Sequence, residues 1–426
     1  MGALPRGTSD LNPEESILMK NLNDTIQIIY QMYGFYPLET PSIELLETLT
    51  SKAYGDENAK EIYKIEGGIE GLRYDLTVSL ARYISMNKDI VFPFKRYQIG
   101  KVWRMDEPQK MREREFYQAD IDIVGNTDIT AEAELISATD NALYSVGIKN
   151  SSILINSRVI LNGILESFNI KEETHAKVIR VLDKMQKIGK EETKKQIVNI
   201  GIDEGTTTEL LELVLFEENN LEKISELETR LKSSKEELEK LSRLLELLKT
   251  YNLKSNVLID LSLARGMDYY TGLVWEFVVL DQGKRLPTIA SGGRYDKLIG
   301  TYLKRDIPAV GSSIGMTRVF ELLKNTENKK TYALVYISYI GRDNLEYAVY
   351  VAGVLRKNRI PVDINLLDRG ITKQLNYANS LKIPYVIILG NMEKTAKKIK
   401  IRDMSSGNES MIELDEVIQL LKTKTM

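Results

Sequence analysis

The chain has 426 residues, of which 43% are hydrophobic and 28% are charged, and its formal net charge is −3 at pH 7. This composition is typical of a globular protein with enough core for two or three domains. Because the chain has no cysteine and a single histidine, disulfides, thiolate metal sites and most imidazole chemistry are excluded. Any catalysis must therefore use arginine, carboxylates, tyrosine and glutamine.

Membrane and export signals are not expected in this sequence. No segment has the eighteen or so uncharged apolar residues that a membrane span needs, and the first ten residues lack the apolar core of a signal peptide. We therefore expect a cytoplasmic protein with no membrane partner.

The first predicted element is a helix that begins at Pro13. Asn12 is its expected N-cap, and Glu15 follows three residues later, which is the spacing of a capping box. The apolar spacing that follows predicts that the helix ends near Met32. Residues 35–41 come next and indicate a short extended segment, whose prolines suit a sheet edge or an interface.

Two runs rich in aromatic and β-branched residues, 94–104 and 115–124, predict antiparallel strands joined by a charged loop. Because side chains alternate along a strand, the second strand has one polar face, formed by Phe116, Gln118, Asp120 and Asp122. Such a face suits the floor of a site for a nucleotide base and a small polar ligand, or a solvated sheet face. The chain up to about residue 155 is predicted to be α+β.

Residues 160–252 differ from this pattern and predict a helical insertion. They contain few aromatics and many Lys and Glu, with leucines at helical spacing at positions 227, 231, 238, 241, 245 and 248. The single histidine, His175, is predicted at the surface of this insertion. Strands are then expected to resume at 256–261, 274–280, 288–290 and 309–314, followed by a helix over 318–323.

A polar linker over 324–330 is predicted to separate a C-terminal domain. Apolar runs at 332–338, 362–366 and 385–389 alternate with helical patterns near 344–356 and 372–381, which indicates a small α/β domain with a largely parallel sheet. From Lys329 to the end the chain carries a charge of +6, against −9 for the remainder. That difference suits contact with a phosphate backbone, but it is equally compatible with random variation between domains.

Four arginines are candidates for binding a polyphosphate, because a guanidinium donates to two oxygens at once and stacks on rings. They are Arg104 at the end of a strand, Arg112 in the hairpin loop, Arg265 after a strand and Arg318 at the start of a helix. Each of them, taken alone, is also typical of a surface ion pair.

Three further segments have the composition of a ligand site. Residues 265–272, Arg-Gly-Met-Asp-Tyr-Tyr-Thr-Gly, combine hydroxyls and rings with glycines that permit close approach, and they also fit a tight turn. Asp75 and Thr77 share a strand parity and could hold an amino group, although a capping or turn role is favoured. Residues 310–318 place small side chains before a helix N-terminus, as does any plain strand-to-helix turn. Since the chain has no G-x-x-x-x-G-K-[ST] and no G-x-G-x-x-G motif, ATP would have to bind by another architecture.

Taken together, these segments resemble class II aminoacyl-tRNA synthetases, and within them the histidyl-tRNA synthetase family, over nearly the whole chain. The segment around residues 39–41 resembles motif 1, 104–118 resembles motif 2 and 311–318 resembles motif 3. These motifs indicate only the class. The specific ones are 265–272 and 291–296, Ser-Gly-Gly-Arg-Tyr-Asp, which are similar to the histidine signatures of the family.

The resemblance implies an α+β catalytic domain with an antiparallel sheet over 1–325, interrupted by the helical insertion 160–252, and an anticodon-binding α/β domain over 331–426. It implies a homodimer formed through motif 1. The substrates would be histidine, ATP with Mg²⁺ that the protein does not hold alone, and tRNA(His), with the insertion touching the acceptor arm.

The resemblance also implies a role for each site residue. Arg104 and Arg265 would be catalytic, Arg104 on the α-phosphate of ATP and Arg265 on the histidine carboxylate and the same phosphate. The other ATP contacts would be Glu107, Arg112, Phe116 and Arg318, with Phe116 and Arg318 on either side of the adenine. The histidine contacts would be Asp75, Thr77, Gln118, Asp122, Arg265, Tyr269 and Tyr270.

Two departures from the common pattern concern these contacts. The chain has Asp75-Leu76-Thr77 where many members carry Glu-Gly-Thr, and the carboxylate that would read the imidazole is the shorter Asp122. Another branch of the family is similar at both places. A regulatory relative that senses histidine or tRNA without charging it, and another synthetase of the same subclass, are the alternative interpretations.

Overall fold

The computed structural model describes residues 3–50, 59–215, 219–231, 234–264, 269–281, 284–303, 305–326, 329–367 and 369–424. Contacts divide the chain into two compact units, Met1–Ser9 with Met19–Leu323, and Asp10–Leu18 with Lys324–Met426. Within the described residues, no helix is long and apolar enough to cross a bilayer.

The larger unit combines short and long strands with many helices. Its strands are β1 (Tyr36–Pro37), β2 (Ile43–Leu45), β3 (Glu70–Leu72), β4 (Phe94–Trp103), β5 (Glu115–Val124), β6 (Ser151–Ser157), β7 (Asn256–Ile259), β8 (Leu273–Asp281), β9 (Lys284–Arg285), β10 (Ala290–Arg294) and β11 (Ala309–Gly315). The helices outside the insertion are α1 (Pro13–Met32), whose first residues belong to the other unit, α2 (Leu46–Leu49), α3 (Thr77–Met86), α4 (Thr130–Ser145) and, after the insertion, α11 (Met316–Leu323).

Helix α1 has the predicted bounds because its capping box forms. The Glu15 amide donates to Asn12 Oδ1 at 3.0 Å, and the Asn12 amide donates to Glu15 Oε2 at 2.9 Å. These two bonds satisfy backbone donors that a bare helix end would leave unpaired.

The main sheet is largely antiparallel and carries the predicted hairpin near its centre. In the described residues nine strands pair in the order β1-β4-β5-β11-β10-β8-β6-β7, with β9 beside β8. Only the outer pairs β1·β4 and β6·β7 are parallel. Strand β5 pairs with β4 on one side and with β11 on the other, so its polar face lies in the middle of the sheet. Strands β2 and β3 form a separate two-stranded sheet.

One predicted strand is misplaced. Residues 288 and 289 precede the strand, which runs over Ala290–Arg294 and so contains the glycine-rich signature. Because glycine weakens a strand on average, the two glycines of this segment did not predict a strand. Here the absence of a side chain is required, because a Cβ on Gly292 would lie 2.4 Å from the Trp275 ring.

The insertion is helical as predicted. In its described part the helices are α5 (Arg158–Ser167), α6 (Glu172–Ile188), α7 (Lys190–Asn199), α8 (Glu204–Val214), α9 (Asn220–Arg230) and α10 (Lys235–Thr250). The leucines singled out by spacing are buried with one exception, since Leu244 is buried in place of Leu245. Residues 244 and 245 are adjacent on one helical turn, and the packing of the insertion determines which of the two leucines is buried.

The prediction that His175 lies at the surface is wrong. Its side chain is 5% exposed, and Nε2 lies 2.9 Å from the carbonyl oxygen of Ile170. A buried imidazole needs such a partner, and spacing along the sequence does not reveal a backbone acceptor.

Side chains of the insertion form hydrogen bonds with the backbone of β7 at the outer edge of the sheet. Asn220 Nδ2 donates to the carbonyl of Val257 at 2.7 Å, and the amide of Ile259 donates to Asn220 Oδ1 at 2.8 Å. Lys223 Nζ also donates to the carbonyl of Ile259 at 2.8 Å. The Asn220 amide group thus makes the two bonds that a neighbouring strand would make.

The smaller unit contains a mixed sheet in the order β13-β12-β14-β15-β16. Its strands are β12 (Val335–Tyr339), β13 (Val362–Ile364), β14 (Tyr385–Leu389), β15 (Ile399–Asp403) and β16 (Glu409–Ile412), and its helices are α12 (Leu345–Lys357), α13 (Ile371–Ser380), α14 (Asn391–Ala396) and α15 (Leu414–Lys422). The first three strands in sheet order are parallel as predicted, whereas β14, β15 and β16 pair antiparallel. The last two strands escaped prediction because lysine and arginine alternate with the isoleucines of β15, and because β16 is a four-residue segment, Glu-Ser-Met-Ile, without an apolar run.

We predict that Asn220→Ala lowers the free energy of unfolding of the chain by about 2 kcal/mol, because a buried amide and a carbonyl lose their partner. Urea denaturation followed by circular dichroism measures this change. The control is Asn199→Ala, at an exposed helix end of the same insertion. Equal stability of the two variants would contradict the role assigned to Asn220.

Candidate active site

The hairpin β4–β5 brings Arg104 onto two aromatic rings. Its guanidinium carbon lies 4.2 Å from the centroid of the Tyr74 ring and 5.1 Å from that of Phe116, and Nε donates to the Tyr74 carbonyl at 3.2 Å. Cation–π contacts of this kind contribute roughly 0.5–2 kcal/mol each. They hold the guanidinium plane in place beside the polar face of β5, so Arg104 and Phe116, both expected ATP contacts, lie together.

Arg112 lies in the hairpin loop and is held by a buried carboxylate. Its Nε and Nη2 lie 2.8 and 2.7 Å from Asp106 Oδ2. Asp106 in turn contacts Glu61, and burial, together with the charge of Asp106, raises the pKa of Glu61. Two arginines, Arg104 and Arg112, therefore flank an acidic pair.

Glu107 lies on the outer side of the same loop. It pairs with Arg6 at 3.2 Å, and both side chains are 71% exposed. A pair of this kind contributes little to stability. The described contacts of Glu107 are thus with the N-terminal segment.

Arg318 lies in the first turn of α11, the last helix of the larger unit, which follows strand β11. Its Nη1 donates to the Thr288 carbonyl at 2.6 Å, and its Nε donates to the Met111 carbonyl at 3.3 Å. The neighbouring Thr317 accepts the amide of Tyr117 at 3.0 Å. The start of α11 is therefore attached both to the hairpin loop and to β5.

Asp75 and Thr77 do not alternate along a strand, which corrects the prediction of a shared strand parity. Asp75 Oδ1 accepts the amides of Thr77 at 3.1 Å and Val78 at 3.0 Å, at the start of α3. The capping role that the sequence favoured is confirmed. Leu76 at the N-terminal boundary carries no capping side chain of its own, so Asp75 supplies the acceptor.

Three tyrosine rings lie beside this cap. The ring centroid of Tyr269 is 5.1 Å from that of Tyr270 and 5.6 Å from that of Tyr295, both edge to face. Burial and the charge of Asp75 raise the pKa of Tyr269, whose hydroxyl hydrogen bonds to Thr77. Burial likewise raises the pKa of Tyr270 and of Tyr295, so all three hydroxyls stay protonated and can donate or accept a hydrogen bond.

Asp122 is 2% exposed and lies in a buried charge network that the sequence did not reveal. Arg96, which is completely buried on β4, places Nη2 2.7 Å from Asp122 Oδ2, and the Tyr295 hydroxyl donates to Asp122 Oδ1. Strand parity on β4 could have placed Arg96 on the polar face, opposite Asp122. Tyr295 belongs to the signature 291–296, but the resemblance implies no role for it.

Gln118 and Asp120 extend this network toward Phe116. Gln118 Nε2 donates to Ser313 Oγ at 2.8 Å, and Asp120, which is 3% exposed, also hydrogen bonds to Ser313. Burial raises the pKa of Asp120 to about 7, and the charge of Asp122 adds to this effect while Arg96 opposes it.

Glycine makes room for the acidic side chains. A Cβ on Gly311 would lie 2.0 Å from Asp122 Oδ1, and a Cβ on Gly293 would lie 2.9 Å from the Tyr270 ring. Gly311 pairs with Asp122 in the sheet, and Gly293 is its neighbour on the next strand. The site therefore depends on two adjacent strands that lack side chains at this level.

Arg265 lies outside the described residues, as do the next three residues of its signature, 266–268. Its predicted role stays a prediction. The described part of the signature begins at Tyr269.

The sheet is largely antiparallel and carries three arginines around one hairpin: one at the end of a hairpin strand, one in the hairpin loop, and one at the start of the helix after a glycine-bearing strand. This arrangement is the catalytic fold of class II aminoacyl-tRNA synthetases. The family model for histidyl-tRNA synthetase matches residues 7–319, and the model for an anticodon-binding domain matches residues 334–424. The chain belongs to the histidyl-tRNA synthetase family.

Individual relatives agree with this assignment. The chain is 37% identical to a histidine–tRNA ligase of Clostridium tetani, over 98% of this chain and 97% of the relative. It is 36% identical to one of Bacteroides fragilis, over 98% of each. The crystal structure of histidyl-tRNA synthetase from Nostoc sp. PCC 7120 superposes with a TM-score of 0.88 at 30% identity, over 99% of each chain.

We predict that Asp120→Asn raises the melting temperature at pH 8, and that this gain shrinks as the pH is lowered to 5. Burial raises the pKa of Asp120 to about 7 in the folded chain, against an ordinary value of 3.8. Below pH 4 the carboxyl is protonated in the folded and in the unfolded chain, so it does not lower the free energy of unfolding. As the pH rises to 7 it lowers the free energy of unfolding progressively, by at most about 4 kcal/mol at the plateau above pH 7.

Thermal denaturation of the variant and the wild type at both pH values tests this sign. Asp140→Asn is a matched control, because Asp140 is equally buried but accepts the backbone amides of Lys254 and Ser255. That variant should be less stable at both pH values. A comparable loss in Asp120→Asn at pH 8 would show that the Asp120 charge is compensated.

Proposed function

We propose that the chain is an ATP-dependent histidine–tRNA ligase. In the first step the carboxylate of histidine attacks the α-phosphate of ATP, which gives histidyl-adenylate and pyrophosphate. In the second step the terminal adenosine hydroxyl of tRNA(His) attacks the carbonyl carbon of histidyl-adenylate, which forms the histidyl ester and releases AMP. One observation carries this proposal, and it concerns a single strand, β5. The arginine clamp, in which Arg104 stacks on Tyr74 and Phe116, is followed on the same strand face by Gln118 and the buried Asp122, which we call the acidic chamber.

The clamp end is proposed to bind ATP. Arg104 would contact the α-phosphate, while Arg112 and Arg318 would contact the outer phosphates. Phe116 supplies a ring face for the adenine, with Arg318 proposed on its other side. Arg112 now shares its charge with Asp106, so phosphate oxygens would compete with that carboxylate for the same donors. Glu107 is the fifth proposed ATP contact.

The chamber end is proposed to bind histidine. Asp75 and Thr77 would hold the amino group, Gln118 would contact the substrate, and Asp122 with Tyr270 would read the ring nitrogens, beside Tyr269. Asp122 is buried and Tyr270 is half-buried. A substrate without ring nitrogens would leave these groups without the partners that histidine provides, and such a mismatch discriminates strongly.

The chemistry requires little acid or base catalysis. The histidine carboxylate is already a nucleophile, and the leaving pyrophosphate needs only charge compensation. Arg104, fixed by two rings and a carbonyl, would stabilise the negative charge that develops on the α-phosphate, and Arg265 would do the same from the histidine side.

Mg²⁺ is proposed to arrive with ATP. Glu61 and Asp106 lie beside Arg112 and Arg104, but within the described residues no group of three or more His, Cys, Asp or Glu side chains could hold a metal ion. When bound, the ion would neutralise phosphate charge.

We further propose that residues 331–426 bind the anticodon and that the catalytic domain spans 1–325, interrupted by an insertion over 160–252 that contacts the acceptor arm. The charge of +6 from Lys329 to the end supports contact with tRNA. A homodimer formed through the segment around Thr40 and a cytoplasmic location complete the proposal.

A regulatory role is the second candidate. A chain described as an ATP phosphoribosyltransferase regulatory subunit/histidyl-tRNA synthetase from Bacillus halodurans superposes with a TM-score of 0.77 at 22% identity, which shows a common fold alone. The intact clamp and the presence of a C-terminal unit favour the ligase.

We predict that Arg104→Lys lowers kcat/KM for ATP in histidine-dependent ATP–pyrophosphate exchange by about 100-fold or more, because an ammonium can neither stack on both rings nor bond two oxygens. The matched control is Arg243→Lys, at an exposed arginine of the insertion, which should retain wild-type exchange. Undiminished exchange by the Arg104 variant would remove this residue from the mechanism.

Replacement of Arg265 by histidine should abolish most adenylate formation, because a short and largely neutral side chain replaces a permanent charge. Exchange assays at saturating ATP and histidine measure the loss. Wild-type rates in this variant would contradict the assignment of Arg265.

The amino-acid preference separates the candidate functions. Wild-type chain should catalyse exchange with histidine and should charge tRNA(His). Exchange with proline or threonine alone would indicate another synthetase, and binding of histidine without any exchange would indicate the regulatory role.

A further inference from the structure

Asp120 lies in the proposed histidine chamber but has no part in the roles described above. It alternates with Gln118 and Asp122 on the same face of β5 and pairs with Gln98 on one side and Ser313 on the other. Its side chain is 3% exposed. A carboxylate is rarely buried to this degree without a compensating partner.

The hydrogen bonds of Asp120 are incomplete. One bond goes to Ser313, and Oδ1 has no hydrogen-bond partner in the described part of the chain. Gln98, its neighbour across the sheet, exchanges both of its amide bonds with Thr40. The amide oxygen of Gln118 is likewise buried without a described partner. Two acceptors on the same face of β5 are therefore buried without a hydrogen-bond partner in the described part of the chain, and Nε and Nη1 of Arg96 have no partner there either. Such an acceptor is costly unless a ligand provides a donor.

The charged groups around Asp120 likewise leave its negative charge without a described ion-pair partner. The charged and titratable groups that influence it from the neighbouring elements are Arg73, Arg96, Asp75, Asp122, Tyr30 and Tyr270. Arg96 makes its ion pair with Asp122, and Arg73 donates to the carbonyls of Lys101 and Thr40. Neither cation forms a described ion pair with Asp120, so a cationic ligand is the complement that this wall lacks.

We propose that Asp120 is a specificity-determining residue that, together with Asp122 and with the Tyr270 hydroxyl as a further acceptor, binds the substrate ring as an imidazolium with both ring N–H groups donating. This inference rests on the proposed function and deepens it. A wall of carboxylate and amide oxygens accepts two N–H bonds, whereas neutral imidazole offers one donor and one acceptor. Around neutral pH the proton on the ring comes from Asp120 itself or from solvent, since burial keeps the pKa of that carboxyl near 7.

The first test uses the wild-type chain and needs no variant. Calorimetric titration of histidine at pH 8, in two buffers of different ionisation enthalpy, measures the protons taken up on binding. Free histidine is neutral at the ring and Asp120 is ionised at this pH, so formation of the imidazolium requires uptake of close to one proton per histidine. Binding without proton uptake would overturn the proposal.

The second test compares Asp120→Asn with the wild type in ATP–pyrophosphate exchange, with histidine and with 1,2,4-triazole-3-alanine, whose ring resists protonation. The asparagine keeps the size of the side chain but loses its charge. We expect KM for histidine to rise at least tenfold with KM for ATP within twofold, and the preference for histidine over the triazole analogue to shrink by a similar factor. An unchanged preference would mean that Asp120 is only structural.

Asp140→Asn again provides the control, because its carboxylate lies outside the site and should leave KM for histidine unchanged. The outcomes also separate the inference from the proposed function. If the wild type shows no histidine-dependent exchange, the ligase assignment fails. If it shows exchange with an unaltered substrate preference in Asp120→Asn, only the role of Asp120 fails.

Discussion

The buried ion pair between Arg96 and Asp122 is the interaction on which the candidate site is built. Both side chains are almost completely excluded from solvent, and removal of either would leave the other as an uncompensated charge at a cost of several kcal/mol. The pair ties β4 to β5, and the hydroxyl of Tyr295 ties both to the segment after β10. A pair of this kind adds little net stability, but it forms in the register that places Arg96 directly opposite Asp122.

The rest of the site follows from that register. Once Asp122 faces Gly311, the positions of Gln118 and Phe116 along β5 are fixed, and so is the distance between the acidic chamber and the arginine clamp. Ser313 and Thr317 then attach the next strand and helix to the same face. Catalysis by positioning needs a rigid platform, and a central antiparallel hairpin, paired on both sides, provides one.

Much of this arrangement could be predicted from the sequence, because it depends on local rules. The capping box of α1, the hairpin strands and the alternation along β5 involve residues close in the chain. The clamp of Arg104 and Phe116 could be predicted for the same reason, since both residues flank one loop. Strand parity in the predicted hairpin was enough to place Arg96 on the same face as Asp122. Tyr295 could not be assigned, because it reaches Asp122 only across strand pairings that a single sequence does not determine.

Two expectations that used the local sequence alone were wrong: the strand parity of Asp75 and Thr77, and the surface position of His175. Asp75 and Thr77 alternate like strand residues, yet the cap of α3 decides their conformation. His175 was expected at the surface of the insertion, yet its ring is buried and lies 2.9 Å from the backbone carbonyl oxygen of Ile170. In both cases a hydrogen bond to the main chain outweighed the pattern of side chains.

The attachment of Asn220 to β7 has a consequence for the evolution of the chain. Strand β7 ends the sheet, and its outer backbone groups would otherwise be a template for pairing with another molecule. The helical insertion therefore protects the catalytic sheet against aggregation as well as extending the surface of the enzyme. A lineage that lost the insertion would first have to shield this edge, for example with a proline or a charged side chain directed toward the sheet.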